Sequence, residues 1–394
     1  MRSIGVTSRG IRAPIIKPGD DIAAIVVESL RQAWESEGFS LNDKDVVGIT
    51  ESTVARAQNN YASIAQIAAH VRMLTGGGHI GVVFPILSRN RFAILLKAIA
   101  MAADELTILL SYPSDEVGNP LISWEDLDDK GVDPYRQTLT EREFKDIFGE
   151  ECVHLFTGVD YVQYYRQEAG LDKVSFIFSN DPCEILRYTD KVIAADIHTR
   201  ARTRRLLEAA GASKVVSLDQ ILNQSINGSG YNTLYGLLGS NKATEDSVKL
   251  FPEGGMEVVA TVQEQLFAMT GKKVEVLVFG DGAFKDPVGK IWELADPVVS
   301  PAFTEGLKGT PNEIKMKYLA DNEFNDLSGD EAREAIIKAI KEKEDDLVGN
   351  MIAEGTTPRR LSDLLGSLCD LTSGSGDKGT PIILIQGYFD NYAS

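Results

Sequence analysis

A short apolar strand that ends in a glycine-flanked carboxylate constrains this chain more than any other stretch. Val274 to Phe279 has the length and β-branched content of a buried strand, and Gly280-Asp281-Gly282 follows it directly. Glycine lets the backbone turn tightly at such a point. Ligands of α/β proteins collect at the carboxyl ends of strands, so Asp281 is a candidate for holding a metal ion or a metal-bound phosphate. The alternative is that Asp281 only caps a turn.

Two further stretches have the same character. The apolar run Cys152 to Phe156 leads into Thr157-Gly158-Val159-Asp160, which places a second carboxylate after a strand. The loop Gly374 to Gly379 is rich in glycine and serine, and its backbone N–H groups suit a phosphate. The loop lacks the Walker spacing, and the alternative is that it is only a flexible turn. Two carboxylates with such a loop are what Mg²⁺ or Mn²⁺ and a nucleoside triphosphate require.

Strand and helix patterns alternate along the chain and predict an α/β fold with mixed sheets. Ile22 to Ser36 has helical apolar spacing, with Asp20 or Asp21 as its N-cap, and Val46 to Thr50 indicates a strand. After Gly76 the pattern indicates a βαβ unit and then further strands around an arginine-rich helix. The predicted elements of this region are His79–Leu87, Arg91–Ala103, Leu106–Ser111, Lys173–Ser179, Lys191–Ala195, Thr199–Ala210 and Lys214–Ser217.

The net charge of the chain restricts the kinds of molecule that it can bind. The 394 residues carry a net charge of -18, which argues against non-specific nucleic-acid binding and against an anionic membrane surface. Three distant cysteines indicate neither a disulfide framework nor a zinc site. No run of about 18 apolar residues and no signal peptide is present, so we expect a cytoplasmic protein.

Five blocks, in this order, resemble the coenzyme F-420 gamma-glutamyl ligase family: Pro14–Asp21, Thr157–Asp160, Leu250–Pro252, Thr270–Asp281 and Gly374–Gly387. The resemblance implies an enzyme that uses GTP and a divalent metal to join L-glutamate to a carboxylate on a deazaflavin coenzyme precursor. It also implies an intertwined homodimer. The ligase-like core would be discontinuous, comprising 1–75, 151–170, 248–325 and 356–394, with insertions at 76–150 and 171–247 and a charged surface helix within 326–355.

The resemblance also implies roles for single residues. Asp160 and Asp281 match the metal carboxylates and are the predicted catalytic residues, and Ser375 stands at a further metal position with Asp377 near enough to substitute. The positions that match the nucleotide site are Pro14, Ile15, Ile16, Ser52, Arg56, Gln163, Gly374, Ser375, Gly376, Asp377 and Gly379. The chain departs from the family pattern at Glu51, where a hydroxyl residue is expected, and at Gly282, where a hydroxyl ligand is expected.

The leading hypothesis is therefore a metal- and GTP- or ATP-dependent amide ligase that joins L-glutamate, or another amino acid, to an acid through an acyl phosphate. Its partners would be small molecules. One alternative is a non-catalytic nucleotide- or metabolite-binding relative that has lost a metal ligand, which the residues Gly282 and Ser375 suggest. Another is a ligase for an unrelated acid, such as a folate-like or cell-wall precursor.

Overall fold

The computed structural model describes residues 4–150, 153–154, 157–283, 294–353, 359–373 and 377–393. Its helices and strands alternate and form mixed sheets, which confirms the predicted α/β class. Within these ranges, none of the helices combines the length and the apolar composition needed to span a bilayer.

Fourteen strands occur in the described ranges. They are β1 (Thr7–Ile11), β2 (Val46–Thr50), β3 (Tyr61–Ser63), β4 (His79–Val83), β5 (Glu105–Leu110), β6 (Leu139–Thr140), β7 (Val174–Phe178), β8 (Lys191–Ala194), β9 (Lys214–Ser217), β10 (Asn241–Thr244), β11 (Ser247–Lys249), β12 (Glu275–Phe279), β13 (Ala302–Phe303) and β14 (Ile382–Gln386).

Twelve α-helices occur in the same ranges. They are α1 (Ile22–Glu37), α2 (Glu51–Ala57), α3 (Ile64–Thr75), α4 (Phe92–Ala102), α5 (Trp124–Lys130), α6 (Glu141–Phe148), α7 (Tyr161–Ala169), α8 (Arg200–Ala209), α9 (Gly255–Thr270), α10 (Met316–Tyr318), α11 (Gly329–Glu342) and α12 (Leu361–Ser373).

The first sheet has the strand order β1-β14-β2-β12-β13, and only its β2–β12 pair is parallel. Side chains alternate between its two faces, as the strand period requires. Val47 and Val276 face a core with α1 and α9, whereas Val46 and Leu277 face α12. The sheet is therefore covered on both faces, which explains why β2 and β12 are apolar along their whole length.

The second sheet has the order β6-β7-β5-β4-β8-β9, and all of its pairs are parallel except β6 with β7. This order reverses direction between β4 and β8, as in doubly wound α/β folds, where ligands bind at the reversal point. A small antiparallel sheet of β10, β11 and β3 adjoins it.

The second sheet joins segments that the sequence analysis treated separately. Strands from 76–150 and from 171–247 lie in this one sheet. Helix α7, from the stretch 151–170 that was assigned to the ligase-like core, packs on α4, and the rings of Phe92 and Tyr165 lie 5.6 Å apart. Of the predicted strand Cys152–Phe156, only Val153 and His154 lie within the described residues.

Local signals begin and end the helices next to the first sheet. Asp21 caps α1, because its carboxylate accepts the Ala24 N–H at 3.0 Å, and Gly38 ends that helix with a φ of 70°. Helix α2 begins at Glu51 immediately after β2. The position of Glu51 is therefore determined both by the end of β2 and by the start of α2.

Candidate functional site

Three strand ends and one strand start meet at a single edge of the first sheet. The register aligns Ile11, Ile382, Ile49 and Val278 across β1, β14, β2 and β12. The residues that follow β1, β2 and β12, and those that precede β14, therefore lie along one edge. Glu51 and Asp281 are both on it.

The two predicted nucleotide segments are neighbours at this edge. The Ala13 N–H donates to the Gly379 carbonyl oxygen at 3.3 Å. The side chains of Pro14 and Ile15 are exposed, whereas Ile16 is buried in the core. Ile16 can therefore offer only backbone atoms to a ligand, while its two neighbours can offer side chains.

A cavity of about 1080 Å³ lies beside these segments, between β1, α1 and the end of α12. Its basic lining residues are Arg9, Arg12 and Lys378. Arg9 is held in place, because its Nη1 donates to Gln386 Oε1 at 2.6 Å and its guanidinium lies 4.9 Å from the Phe39 ring centroid. Arg12 and Lys378 are exposed, so the cavity has a positive character that suits phosphate groups.

Asp281 is held by an arginine from the doubly wound unit that contains the second sheet. Arg91, just before α4, donates from Nη2 to Asp281 Oδ2 and from Nη1 to Asp296 Oδ1, both at 2.7 Å. Asp296 also accepts the Asp281 backbone N–H at 2.8 Å, and its side chain is only 2% exposed. Burial opposes the charge of Arg91, but the two carboxylates outweigh it and raise the Arg91 pKa.

A second buried ion pair adjoins this group. Lys249 Nζ lies 2.8 Å from both carboxylate oxygens of Glu51, and both side chains are at most 10% exposed. Burial raises the Glu51 pKa and Asp296 adds to this, while Lys249 and Arg91 oppose it. The carboxylate that departs from the family pattern thus has a cationic partner of its own.

The backbone around Asp281 is fixed from two sides. The Gly282 N–H donates to Asp370 Oδ2 at 2.9 Å, and the Ala283 N–H donates to Ser367 Oγ at 3.0 Å, so α12 holds the turn. A Cβ at Gly280 would collide with the Asp296 carboxylate, so only glycine lets the strand end approach that side chain.

Asp160 lies on a different element from Asp281. It is the N-cap of α7, and its Oδ1 accepts the Gln163 N–H at 3.0 Å. Its neighbours Thr157 and Tyr161 line the same cavity as Asp281. The structure therefore brings the predicted metal segments to one cavity.

The carboxylates themselves do not form a ready metal site. In the ranges described above, no group of three or more histidine, cysteine, aspartate or glutamate side chains could hold a metal ion. Asp281 already bonds a guanidinium, and Asp160 caps a helix. A divalent cation would have to displace Arg91 from Asp281, so these residues do not fit Mg²⁺ or Mn²⁺ in the arrangement seen.

The remaining predicted residues are scattered. Ser52 and Arg56 are exposed on α2, Gln163 is half-buried on α7, and Asp377 is exposed before β14. The loop positions Gly374, Ser375 and Gly376 lie outside the described residues.

A cavity of about 720 Å³ separates the two sheets at Asp281. The loop after β4, the loop after β5 and helix α7 supply most of its walls, and Asp281 and Ala295 come from the other side. Carboxyl ends of strands from both sheets thus face one space, which is where α/β proteins bind ligands.

Sequence reasoning missed Arg91, Lys249 and Asp296. Two of them carried a signal. Arg91 is the N-cap of helix α4, which is apolar except for Lys97, and the helix dipole disfavours a cation at that end, which indicates an acidic partner elsewhere. Lys249 is a single charge next to an apolar run, which indicates a buried pair. Asp296, between Ala295 and Pro297, has no comparable signal.

Fold and site together define an α/β protein with a charged strand edge that faces a doubly wound unit. A family model described as F420-0:Gamma-glutamyl ligase matches residues 10–387. The chain belongs to this family, as the resemblance predicted, and membership supports an enzyme that acts as a gamma-glutamyl ligase. A search of curated proteins found no match.

Proposed function

We propose that this chain is a GTP- or ATP-dependent amide ligase that joins L-glutamate to the carboxylate of a deazaflavin coenzyme precursor. The observation that carries the proposal is the common edge of the first sheet. The nucleotide segments at β1 and β14 lie on the same edge as Asp281, and three inter-strand spacings of about 4.8 Å separate β1 from β12. A nucleotide held at one end of this edge would have its phosphates directed toward Asp281.

The reaction needs an activated acid, because a carboxylate is unreactive toward amines. The acceptor carboxylate attacks the γ-phosphorus, the bond from that phosphorus to the β–γ bridging oxygen breaks, and an acyl phosphate and a nucleoside diphosphate form. The neutral amine of glutamate, which has lost one proton, then attacks the acyl carbon. The carbon–oxygen bond to phosphate breaks, phosphate leaves, and the nitrogen loses its second proton as the amide forms.

This chain's own residues supply charge and position for these steps. Arg12 and Lys378 flank the nucleotide segments with positive charge. Arg91 forms ion pairs with Asp281 and Asp296 at the other end of the edge. The proposal includes Mg²⁺ or Mn²⁺ held by Asp160, Asp281 and Ser375, and binding of this ion would require Arg91 to release Asp281.

The test compares Asp160→Asn and Asp281→Asn with the wild type. Ligation is followed by phosphate release and by product mass, with the coenzyme precursor, L-glutamate, GTP or ATP, and Mn²⁺. We expect both variants to lose at least a hundredfold in rate and to bind Mn²⁺ more weakly in calorimetric titrations. The exposed Asp104→Asn is the matched control. Full activity in both site variants would overturn the assignment.

A second candidate is a nucleotide- or metabolite-binding relative without turnover. The bond between Arg91 and Asp281 favours it, because that bond occupies a carboxylate assigned to metal. Thermal-shift measurements with GTP or ATP and Mn²⁺, beside phosphate-release assays over a panel of acids, separate the two. The panel includes folate-like and cell-wall precursors. Binding without turnover on every acid would favour the second candidate.

We also propose a homodimer located in the cytoplasm. Strand β1 is the outermost strand of the first sheet in the described part of the chain, and Ile4 and Val6 are exposed beside it. An exposed edge strand is a natural pairing surface for a second copy. Light scattering coupled to gel filtration measures the mass, and a monomer at micromolar concentration would contradict the proposal.

A further inference from the structure

The cavity of about 720 Å³ between the two sheets has the volume of a small-molecule site. It lies where the carboxyl ends of the doubly wound strands face Asp281. The predicted nucleotide segments do not line this cavity, and it is separate from the cavity beside Arg12. The ligand that this cavity would bind must therefore be inferred from its own lining residues.

The cavity walls are polar. Ser88, Asn90 and Asn119 contribute hydroxyl and amide groups, and Tyr161 and Tyr164 contribute an aromatic wall whose ring centroids lie 6.3 Å apart. Such a lining offers hydrogen bonds and therefore suits a charged, hydrophilic ligand better than an apolar one.

The cations of the cavity differ in their partners. Arg91 is bonded to Asp281 and Asp296, and Lys242 pairs with Glu245 at 2.7 Å. Across the described ranges, Arg89 pairs with no carboxylate, although acidic residues outnumber basic ones by 58 to 40. Arg89 faces the tyrosine wall instead, and its charge acts against the burial that raises the pKa of Tyr161 and Tyr164. An arginine that has no carboxylate partner among the described residues, at a cavity in such an acidic chain, favours an anionic ligand.

We propose that this cavity is the amino-acid subsite, in which Arg89 binds a carboxylate of L-glutamate. The inference rests on the proposed function. A guanidinium matches a carboxylate with two parallel hydrogen bonds, which gives orientation as well as charge. With its carboxylate at Arg89, a zwitterionic amino acid has its amino group free to point toward the Asp281 end, where the acyl phosphate would form. Lys242 adds positive charge on the same side.

The test measures L-glutamate binding to the full-length protein by calorimetry, alone and with a non-hydrolysable GTP analogue and Mn²⁺. We expect Arg89→Met to raise the Kd at least tenfold and Arg89→Lys to restore part of the affinity. Arg136→Met is the matched control, because Arg136 is exposed on the same unit and forms a surface ion pair with Asp133 at 3.7 Å. Equal melting temperatures of the variants would show that they fold alike.

Inorganic phosphate and glutarate provide the comparison ligands. Glutarate binding that also depends on Arg89 supports a carboxylate-binding site at Arg89. Inorganic phosphate that binds this site as tightly as L-glutamate does overturns the assignment to the amino acid. No binding of L-glutamate under either condition, or equal binding by Arg89→Met, also overturns it. Ligation with an unchanged KM for glutamate in Arg89→Met would refute this inference alone. Arg89-dependent binding without ligation by the wild type would refute the proposed function alone.

Discussion

Arg91 precedes helix α4 of the doubly wound unit, Asp281 follows strand β12 of the first sheet, and the two side chains, 190 positions apart in the chain, meet at 2.7 Å. The same guanidinium bonds Asp296, which is almost fully buried. One side chain thus fastens the doubly wound unit to the charged edge of the first sheet. Arg91 lies outside the five short motifs that carried the resemblance, although the family model, which matches residues 10–387, includes it.

Replacing Arg91 by methionine should destabilise the protein by about 3–5 kcal/mol, because it leaves the buried Asp296 carboxylate without its cation. Urea denaturation measures the change. Arg31→Met is the control, since Arg31 also bridges two carboxylates, Glu28 and Glu35, but on an exposed helix face where such pairs contribute little. Equal effects of the two substitutions would contradict a buried role for Arg91.

The Arg91→Met variant should also bind Mn²⁺ more tightly than the wild type, because it exposes two carboxylates that the guanidinium now neutralises. Calorimetric or paramagnetic titration gives the two dissociation constants, and we expect at least a tenfold difference. An affinity equal to that of the wild type would show that Arg91 does not compete with a metal ion for Asp281.

The pair of Glu51 and Lys249 should show strong coupling. Lys249→Met alone leaves a buried carboxylate unpaired and should cost about 3–5 kcal/mol. Adding Glu51→Leu to Lys249→Met removes the orphaned charge, so the double variant should recover most of the loss. Denaturation of the two single variants and the double variant completes the cycle. Additive losses would show that the two charges do not depend on each other.

Local pattern was sufficient for the elements that are apolar along their length. Val46–Thr50 coincides with β2, and the predicted strand at Val274–Phe279 differs from β12 by a single residue, because a strand covered on both faces consists almost entirely of apolar residues. The strands on either side of α8 were predicted for the same reason. By contrast, Thr7–Ile11 is polar in three of five positions and gave no strand signal, although β14 holds it in the sheet.

The site was only partly predictable, because it depends on pairing between distant segments. The sequence indicated Asp281 as a strand-end carboxylate, and the resemblance assigned Pro14–Ile16 and the Gly374–Gly379 loop to the nucleotide site. Nothing local to Arg91 or Asp296 shows that they share a bond, since that contact follows from how the two sheets pack. The resemblance assigned Asp281 to a metal ion, whereas in the structure its carboxylate forms an ion pair with Arg91.

Asp115 gives a pH-dependent prediction at the cavity between the sheets. Its carboxylate accepts N–H groups from Leu87, Val117 and Asn119, which line that cavity, and burial raises its pKa from 3.8 to about 6 despite these bonds. The folded state therefore binds more protons than the unfolded state between about pH 4 and pH 6. This contribution to stability is complete below about pH 4 and is lost as the pH rises through 6.

We therefore expect the free energy of unfolding of the wild type, relative to Asp115→Asn, to fall by about 2–3 kcal/mol between pH 4 and pH 7, at 1.36 kcal/mol per pKa unit. Urea denaturation of both proteins at half-unit pH steps measures the difference, in which the titration of all other carboxyl groups cancels. Parallel curves would show that Asp115 does not titrate in this window. Because Asp115 holds two of the cavity loops, we also expect Asp115→Asn to weaken L-glutamate binding at pH 7, where the native carboxylate is ionised and accepts those N–H groups.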